Sequence, residues 1–379
     1  MKPERKCEMA TVVELNCGPH SIASRTNGIE LGRGAIAATY VLPIASHASQ
    51  ARVLGGYLKR LSRVVADVIV VDGSHQGVFD AHAEAWAAYV RHIPPTSRTT
   101  NGKVANVVTG VTAAHFDTVI VADDDVRYRK NEIQRIVDLL GEYEVVRPQN
   151  MFKPLPWHAR WDTARSLLNR LSGGDWPGTL GVRKSALLTA GGYSGDVLFE
   201  NLEMVRTVQA IGGREAVALD LLVLRRPPTV RHFVSQRTRQ AYDEWARPIR
   251  FGAQLALLPL AVWLARAEGF RVLLILAAFS IGAAELGRRK GKGGTIFPPT
   301  SALWAPVWLA ERALTAWIAL FTRVLLGGVR YRNTRLKQAA TPLRQLRQRV
   351  SRVSRKGRGL PEIGNIELQG LPHKNHAKH

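Results

Sequence analysis

Apolar runs alternate with amphipathic segments along the first two thirds of the chain. Three short runs are almost wholly apolar, and we predict them as buried strands: residues 35–44, 64–71 and 118–122. Three segments have the polar and apolar spacing of helices: residues 47–61, 81–90 and 131–140. Residues 143–147 form one more candidate strand. This alternation predicts an α/β fold, a mostly parallel sheet with helices on both faces.

The pattern changes after residue 250. Residues 251–265 and 272–284 contain no charged side chain. A membrane-spanning helix takes about 20 apolar residues, so each run is long enough only if its flanking charges reach the interface. We predict a transmembrane hairpin over residues 250–287. A buried helical pair and two re-entrant segments are the alternatives.

Residues 301–327 are apolar but interrupted by charges. The interrupting residues are Glu311, Arg312 and Arg323. Three tryptophans suit the headgroup level of a bilayer: Trp304, Trp308 and Trp317. The segment is therefore expected to be an interfacial helix, with a third span as the alternative.

Charge distinguishes between two kinds of partner. The 379 residues include 53 Lys or Arg and 30 Asp or Glu, a formal charge of +23. Such a balance indicates a polyanion, either nucleic acid or an anionic membrane. Residues 330–379 contain 13 basic and 2 acidic residues, a net +11, and follow the apolar runs. No nucleic-acid motif accompanies them, so we predict a membrane and not nucleic acid.

The basic tail has a helical pattern of its own. Four apolar residues recur at a spacing of three and four among arginines: Leu343, Leu346, Val350 and Val353. This predicts a basic amphipathic helix on an anionic leaflet, with a solvated tail as the alternative. Residues 288–292 are also strongly basic, whereas the loop between the two apolar runs has only two arginines. By the positive-inside rule, the basic stretch and the sheet domain lie on the cytoplasmic side.

These patterns divide the chain into four parts. Residues 1–35 are a lead-in without clear periodicity and without a signal peptide, and residues 36–248 are the sheet domain. Residues 249–330 hold the membrane-associated helices, and residues 331–379 form the basic tail. The two cysteines, Cys7 and Cys17, cannot form a disulfide framework or a zinc site and are expected to be incidental thiols in a reducing compartment.

Acidic residues follow two of the predicted strands. Asp72 ends one strand, and Asp123, Asp124 and Asp125 directly follow another. Ligands bind beyond the carboxyl ends of such strands, although a lone strand-end Asp often only caps the next helix. Asp123 and Asp125 point the same way on an extended segment and can share one hard divalent cation. A surface turn is the alternative for the triplet.

Several segments in order resemble membrane-associated inverting glycosyltransferases of family 2 with the GT-A fold, in particular ceramide and lipid glucosyltransferase-like members. The matching segments are TYVLPI with Pro43, VIVVDGS with Asp72, GKVANVVTG with Lys103 and Asn106, ADDDV with Asp123 and Asp125, GTLGVRKSALLTAGGY with Gly181, FENLEMVR at residues 199–206, QRTRQ at residues 236–240, and GGVRYRNTRL. The likeness runs from about residue 39 to residue 247 and continues into the membrane segment.

The resemblance implies a role for each matched position. A nucleotide-sugar, by family habit a UDP-sugar, is expected to contact Pro43, Asp72, Lys103 and Asp123. Asp123 and Asp125 are expected to hold Mg²⁺ or Mn²⁺ as the D-x-D motif. Gln236, Arg239 and Gly181 are expected at the diphosphate and the acceptor. The acceptor is expected to be a membrane lipid or a lipid-linked molecule at the cytoplasmic membrane.

Two departures from the family pattern concern catalysis. Asn201 stands where the family has its general base, an Asp, and an amide cannot accept a proton at neutral pH. Glu200 or Glu203 is then the candidate base, and both being structural is the alternative. Gln240 stands where the family usually has Trp.

We therefore predict a metal-dependent inverting hexosyltransferase that acts on a lipid acceptor. The alternatives are a processive polysaccharide synthase-like enzyme and a catalytically impaired nucleotide-sugar-binding scaffold. The synthase needs more membrane spans and the full Q-x-x-R-W motif, and the scaffold is motivated by Asn201.

Overall fold

The computed structural model describes residues 34–331 and 334–355, with backbone only for residues 352–355. The predicted lead-in therefore lies almost wholly outside the described residues, as do Cys7, Cys17 and the tail beyond residue 355. The described strands are β1 Ile36–Ile44, β2 Val65–Asp72, β3 Arg91–Ile93, β4 Thr118–Ala122, β5 Val126–Arg127, β6 Val145–Phe152, β7 Thr179–Arg183, β8 Glu215–Arg225, β9 Val329–Tyr331 and β10 Thr334–Leu336.

Thirteen α-helices are described between and after these strands. They are α1 Ala51–Leu61, α2 Gln76–Trp86, α3 Gly102–Ala113, α4 Lys130–Leu140, α5 Trp157–Leu171, α6 Lys184–Thr189, α7 Glu200–Ala210, α8 Val230–Tyr242, α9 Pro248–Glu268, α10 Arg271–Arg289, α11 Gly293–Ile296, α12 Ala305–Leu326 and α13 Leu343–Arg355. Short 3₁₀ helices occupy Asp243–Ala246 and Pro299–Trp304.

One eight-stranded sheet forms the centre of the molecule, in the order β3-β2-β1-β4-β7-β6-β8-β5. The pairs β1–β2, β1–β4, β2–β3 and β6–β8 are parallel, whereas β7 and β5 run against their neighbours. The predicted mostly parallel α/β sheet is confirmed. Successive side chains of a strand point to opposite faces of the sheet, so each strand contributes apolar residues to the helix layers on both sides.

Both faces of the sheet are covered by helices. Tyr40 and Leu42 of β1 pack with residues of α1, α2 and α4 on one face. Val41 lies on the other face, in a cluster with residues of α3, α6 and α7. A third apolar cluster joins α7, α8 and α12 to the segment after β10.

The C-terminal helices share that core. The second half of α10 packs against α5, where a Cβ on Gly287 would lie only 1.9 Å from the carbonyl oxygen of Leu167. The transmembrane hairpin predicted over residues 250–287 is therefore only partly free to contact a membrane, because Ser280 and Ala284 of α10 are buried in the protein. Among the described residues, α9 is the one helix long and apolar enough to cross a membrane. The amphipathic helix predicted in the tail is present as α13, and it buries Leu346.

Candidate active site

Helix α3 holds the carboxyl ends of two neighbouring strands together. The Asn106 side-chain amide donates hydrogen bonds to the carbonyl oxygens of Ile44, at 2.7 Å, and Val71, at 3.1 Å. Asn101 begins this helix as its N-cap and accepts a hydrogen bond from the Lys103 N–H. Helix α3 therefore carries Lys103 to the sheet edge where the three consecutive aspartates begin.

Lys103 joins two carboxylates that are far apart in sequence. Its Nζ lies 2.5 Å from Asp123 Oδ1 and 2.6 Å from Glu200 Oε1. Burial by itself would lower the pKa of the lysine, but the charges of Asp123 and Glu200 outweigh it and raise the pKa. The structure thus brings together three residues that the sequence predicted for the site.

Arg225, at the end of β8, is a site residue that the sequence analysis missed. Its Nε donates to Asp125 Oδ2 at 2.8 Å, and its Nη2 lies 3.6 Å from Asp123 Oδ2. Burial opposes the charge on the guanidinium, yet Asp125 and Asp123 together raise its pKa. The signal that could have revealed it is its position directly after an apolar run, as with Asp123.

The three aspartates are crowded and incompletely paired. Asp125 Oδ1 is buried and has no hydrogen-bond partner among the described residues. Burial, followed by the charges of Asp125 and Asp123, raises the pKa of Asp124. Three carboxylates therefore lie close together at this edge of the sheet, and Asp125 Oδ1 is free to coordinate a cation.

Two glycines of the predicted acceptor loop have different roles. The Asp123 N–H donates to the Gly178 carbonyl at 2.8 Å, and a Cβ on Gly178 would lie 2.4 Å from Asp123 Oδ2. Glycine at position 178 therefore leaves room for the Asp123 carboxylate in its observed position. Gly181 instead lies within β7, where a Cβ would come within 2.5 Å of Ile136 Cγ2. Its observed role is to let α4 approach the sheet, and this buried position does not fit the predicted place at the diphosphate and the acceptor.

Asp72 is buried, and its carboxylate faces histidines. Oδ2 lies 2.6 Å from His82 Nδ1 and 3.1 Å from His92 Nε2, and Oδ1 accepts from the Ser74 N–H. Although burial opposes its charge, hydrogen bonds led by that of His92 lower the pKa of Asp72. In this arrangement both oxygens of the Asp72 carboxylate are bonded to the protein, so neither is free to contact a nucleotide as predicted. Pro43 lies on the adjacent strand, where it pairs with Val71 and is buried.

Asp72, His82 and His92 are close enough to hold a metal ion, since their ligand atoms lie within 4.8 Å of one another. However, His82 Nε2 already accepts a hydrogen bond from the Gln50 N–H at 2.8 Å. The remaining ring nitrogen of His82 must then carry the proton and donate to Asp72. His82 and Asp72 are therefore satisfied by hydrogen bonds, whereas His92 Nδ1 is buried without a partner among the described residues.

The two other polar residues of the E-N-x-E segment, Asn201 and Glu203, turn away from the aspartates. The Asn201 amide donates to the Pro177 carbonyl at 3.0 Å, a bond that the family's Asp could not form. Glu203 is fully buried, and its Oε2 accepts from the Thr341 N–H at 2.5 Å. The structure thus places Glu200 at the acidic cluster and Glu203 under the C-terminal segment, where it has a structural partner.

A cavity of about 210 Å³ opens beside the aspartates, between the sheet, α8 and α12. Asp125 and Arg225 line it, and so does Gln236 of the predicted diphosphate motif. Arg239 does not line this cavity. Its guanidinium instead stacks over the ring of Tyr331, at 4.9 Å from the centroid.

Asp243, just after α8, is the second site residue that the sequence analysis missed. It lines the same cavity, and its Oδ1 is buried without a hydrogen-bond partner among the described residues. Burial raises the pKa of Asp243 to about 7, with Glu200 adding to the rise and Arg239 opposing it. A carboxyl group with this pKa can accept a proton near neutral pH.

One part of the chain is similar to a known family. Residues 82–148 match the family model described as glycosyl transferase family 21. The matched stretch contains Lys103, Asp123 and Asp125. It confirms the prediction of a glycosyltransferase enzyme. No curated protein sequence matches the chain significantly.

Solved structures with distant similarity include three sugar-transfer proteins. A mannosyltransferase from Pyrobaculum calidifontis, in complex with GDP-Man and Mn²⁺, is 17% identical, with 74% of this chain and 86% of that chain covered and a TM-score of 0.43. Glucosyl-3-phosphoglycerate synthase from Mycobacterium tuberculosis, in complex with Mn²⁺, UDP and glucosyl-3-phosphoglycerate, is 17% identical, with coverage of 50% and 69% and a TM-score of 0.32. Mannosyl-3-phosphoglycerate synthase from Rubrobacter xylanophilus is 16% identical, with coverage of 52% and 70% and a TM-score of 0.36.

Proposed function

We propose that this GT-A glycosyltransferase moves a sugar from a nucleotide-sugar to a lipid or lipid-linked acceptor at the cytoplasmic face of a membrane, with inversion at the anomeric carbon. The observation that carries the proposal is the acidic edge itself. Asp123 and Asp125 converge on Arg225 beside an open cavity, and one oxygen of Asp125 is left without a partner.

The acidic edge fits a divalent cation. Asp125 Oδ1 has no partner among the described residues, and Asp123 Oδ2, in the space beside Gly178, lies 3.6 Å from Arg225. Oxygen is the ligand that Mg²⁺ prefers. Asp123 and Asp125 would hold Mg²⁺ or Mn²⁺. The bound cation would supply charge stabilisation for the departing diphosphate.

The protein's own cations support the same step. Arg225 presents a planar fork of N–H donors at the acidic edge, and Lys103 provides a compact positive charge. Both are positioned before any donor binds, because ion pairs with the aspartates hold them. Such preorganised charges stabilise a leaving diphosphate at little reorganisation cost.

The proton acceptor in this proposal is Asp243. Asn201 cannot take a proton, and Glu200 is held by Lys103 at 2.6 Å. Asp243 lines the cavity that also contains Asp125, and its free Oδ1 faces no competing donor among the described residues. In the transfer, the acceptor oxygen forms a bond to the anomeric carbon and its proton passes to Asp243. The bond from that carbon to the diphosphate breaks, and the nucleoside diphosphate leaves.

Exposed apolar side chains support the membrane location. Phe270, between α9 and α10, is 80% exposed, and Leu274 and Phe279 on α10 are 71% and 76% exposed. These residues belong to the free half of the helical hairpin, since the other half of α10 packs on α5. A contiguous apolar surface of this kind is costly in water and is typical of membrane contact.

The test uses the full chain purified in neutral detergent. Release of nucleoside diphosphate from a panel of nucleotide-sugars is measured with and without Mn²⁺, in the presence of extracted membrane lipid. We expect turnover that requires metal and lipid and that is abolished by Asp123→Ala combined with Asp125→Ala. Asp124→Ala is the matched control, and it should retain activity. Metal-dependent UDP binding without turnover would instead identify the catalytically impaired scaffold suggested by Asn201.

A further inference from the structure

Helix α12 contributes an unpaired charge to the cavity wall. Arg312 is only 1% exposed, although it carries a guanidinium group that is strongly hydrated in water. Its Nε and Nη1 have no hydrogen-bond acceptor among the described residues, and it forms no ion pair with them. A buried, unpaired charge is costly unless a partner arrives.

Three carboxylates around Arg312 and its cavity are already engaged by other arginines. Arg237 lies 3.3 Å from Asp162 and 3.4 Å from Glu311. Arg165 lies 2.6 Å from Asp175. Arg237 and Arg165 are therefore neutralised by the protein, whereas Arg312 has no such ion pair among the described residues.

A second arginine of the cavity is only half satisfied. Arg247 lies 2.7 Å from Glu244 through Nη2, but its Nε is buried and lacks an acceptor. Burial lowers the pKa of Arg247 to about 10, and burial also lowers the pKa of Arg312. In both cases, the environment fails to compensate for the loss of water around the cation.

We propose that Arg312 and Arg247 bind the phosphoryl group of the acceptor, so that the acceptor lipid carries a phosphate in its headgroup. This inference rests on the proposed function, because it treats the cavity as the acceptor site. Guanidinium groups match phosphate oxygens with paired N–H donors, and the bound anion would satisfy the orphaned nitrogen atoms.

The opposite side of α12 indicates that the anion belongs to a lipid. Ile318, Phe321 and Leu325 on the same helix are 48%, 52% and 73% exposed. Helix α12 thus places a buried cation at the cavity and apolar side chains at the surface. A lipid with a phosphorylated headgroup matches both features, whereas free phosphate matches only the first.

The experiment measures thermal unfolding of the full chain in neutral-detergent micelles, with EDTA present so that no nucleotide–metal site forms. One arm adds inorganic phosphate against chloride at equal ionic strength. The other adds phosphatidic acid to the micelles against an equal amount of diacylglycerol. Arg312→Gln is the test variant. Arg266→Gln is the matched control, because Arg266 is an exposed arginine in the last turn of α9.

We expect phosphatidic acid to raise the midpoint of wild type and of Arg266→Gln by about 2–4 °C, with a smaller rise from phosphate. Arg312→Gln should lose both rises, yet unfold in chloride no earlier than wild type, because it lacks the buried unpaired charge. If Arg312→Gln fails to fold, Arg247→Gln takes its place with the same expected loss. A rise that persists in these variants would contradict the proposal, and a rise with phosphate alone would overturn the lipid source.

The same preparations also separate this inference from the proposed function. Without EDTA, UDP with Mn²⁺ should stabilise wild type and Arg312→Gln equally, because Arg312 forms no ion pair with Asp123 or Asp125, whose partners are Lys103 and Arg225. Stabilisation by UDP and Mn²⁺ without any phosphate response overturns the phosphorylated acceptor alone. A phosphate response without stabilisation by UDP and Mn²⁺ overturns the nucleotide-sugar transferase and leaves the anion site supported.

Discussion

Arg225 Nε donates a 2.8 Å hydrogen bond to Asp125, while the same guanidinium lies 3.6 Å from Asp123. The protein thus places its own cation between the two carboxylates proposed to bind metal. Replacing it with a neutral residue leaves these carboxylates to repel each other. For Arg225→Gln, we therefore expect a lower unfolding temperature without metal and a larger stabilisation by Mn²⁺ than in wild type. Thermal unfolding across a Mn²⁺ titration measures both. Arg226→Gln is the neighbouring control, and equal behaviour of the two variants would contradict the prediction.

The pKa of Asp243 predicts a pH dependence of activity. A carboxyl with a pKa of about 7 is mostly protonated below that pH and cannot take a proton from the acceptor. Turnover should therefore rise as the pH increases through about 7. Asp243→Asn should lose most of the activity, and its pH–rate profile should lack this rising limb. Rates from pH 5.5 to 9 measure the profile. If Glu200→Gln, and not Asp243→Asn, removes the limb, Glu200 is the base.

The same group predicts the pH dependence of stability. The pKa is raised on folding, so the folded state binds more protons than the unfolded state between about pH 4 and pH 7. This contribution therefore reduces the free energy of unfolding as the pH rises through that window and is constant above it. Urea denaturation at several pH values should show a shallower decline for Asp243→Asn than for wild type. An identical decline in the two proteins would show that Asp243 is exposed to water in solution and that its pKa is not raised.

Restoring the family's aspartate at position 201 should not restore a base. Asn201 donates to the Pro177 carbonyl. A carboxylate at this position has no proton to donate, so two oxygen acceptors would face each other. We expect Asn201→Asp to lower the free energy of unfolding by about 1–3 kcal/mol without increasing turnover. Asn201→Ala, which removes the donor without adding charge, should cost less. A gain in turnover for Asn201→Asp would show that this residue reaches the acceptor.

Glu203 offers a test that separates structure from catalysis. Its Oε2 accepts from the Thr341 N–H, and a glutamine carbonyl can accept the same bond. Glu203→Gln should therefore retain turnover, whereas Glu203→Ala should destabilise the protein by about 1–3 kcal/mol. Hydrogen exchange should then speed up in the backbone around Thr341. Loss of turnover in a folded Glu203→Gln variant would restore Glu203 as a candidate base.

The apolar tip of the helical hairpin makes membrane binding testable. Phe270→Ser combined with Phe279→Ser removes two side chains that are 80% and 76% exposed. Flotation with anionic vesicles should show clearly weaker binding, since each buried side chain of this size contributes about 1.5–3 kcal/mol. Val53→Ser, at an exposed site on α1, is the control. Unchanged flotation of the double variant would assign membrane binding to the basic tail.

Much of the fold could be predicted, because it follows from a local signal. Buried parallel strands are continuous apolar runs, and β1, β2 and β4 lie within one or two residues of their predictions. Lys103 and Asp123 were predicted from motifs within single segments. Their 2.5 Å contact could not be predicted, because it depends on how α3 crosses the sheet.

The rest of the site escaped prediction for a related reason. Arg225 and Asp243 lie outside the recognised motifs, and they reach the aspartates only through the order of β8 in the sheet and the course of α8. Gly181 was assigned to the acceptor because glycine-rich sequence does not distinguish a ligand loop from a close helix–strand contact. The apolar run of α10 likewise did not reveal that half of it faces α5.

The segment after α12 determines how the molecule can be divided. The Tyr331 hydroxyl donates to Asn101, the residue that caps α3, and Arg206 on α7 bonds to the carbonyl of Thr341. The segment from Tyr331 to Thr341 therefore acts as a strap, a stretch of chain bonded to both helices that carry Lys103 and Glu200. A soluble enzyme obtained by cutting after residue 248 would lose this strap, the Arg312 wall of its cavity and the cover over α7. The part proposed to contact the membrane is for this reason a structural component of the candidate active site, and truncation would disrupt both.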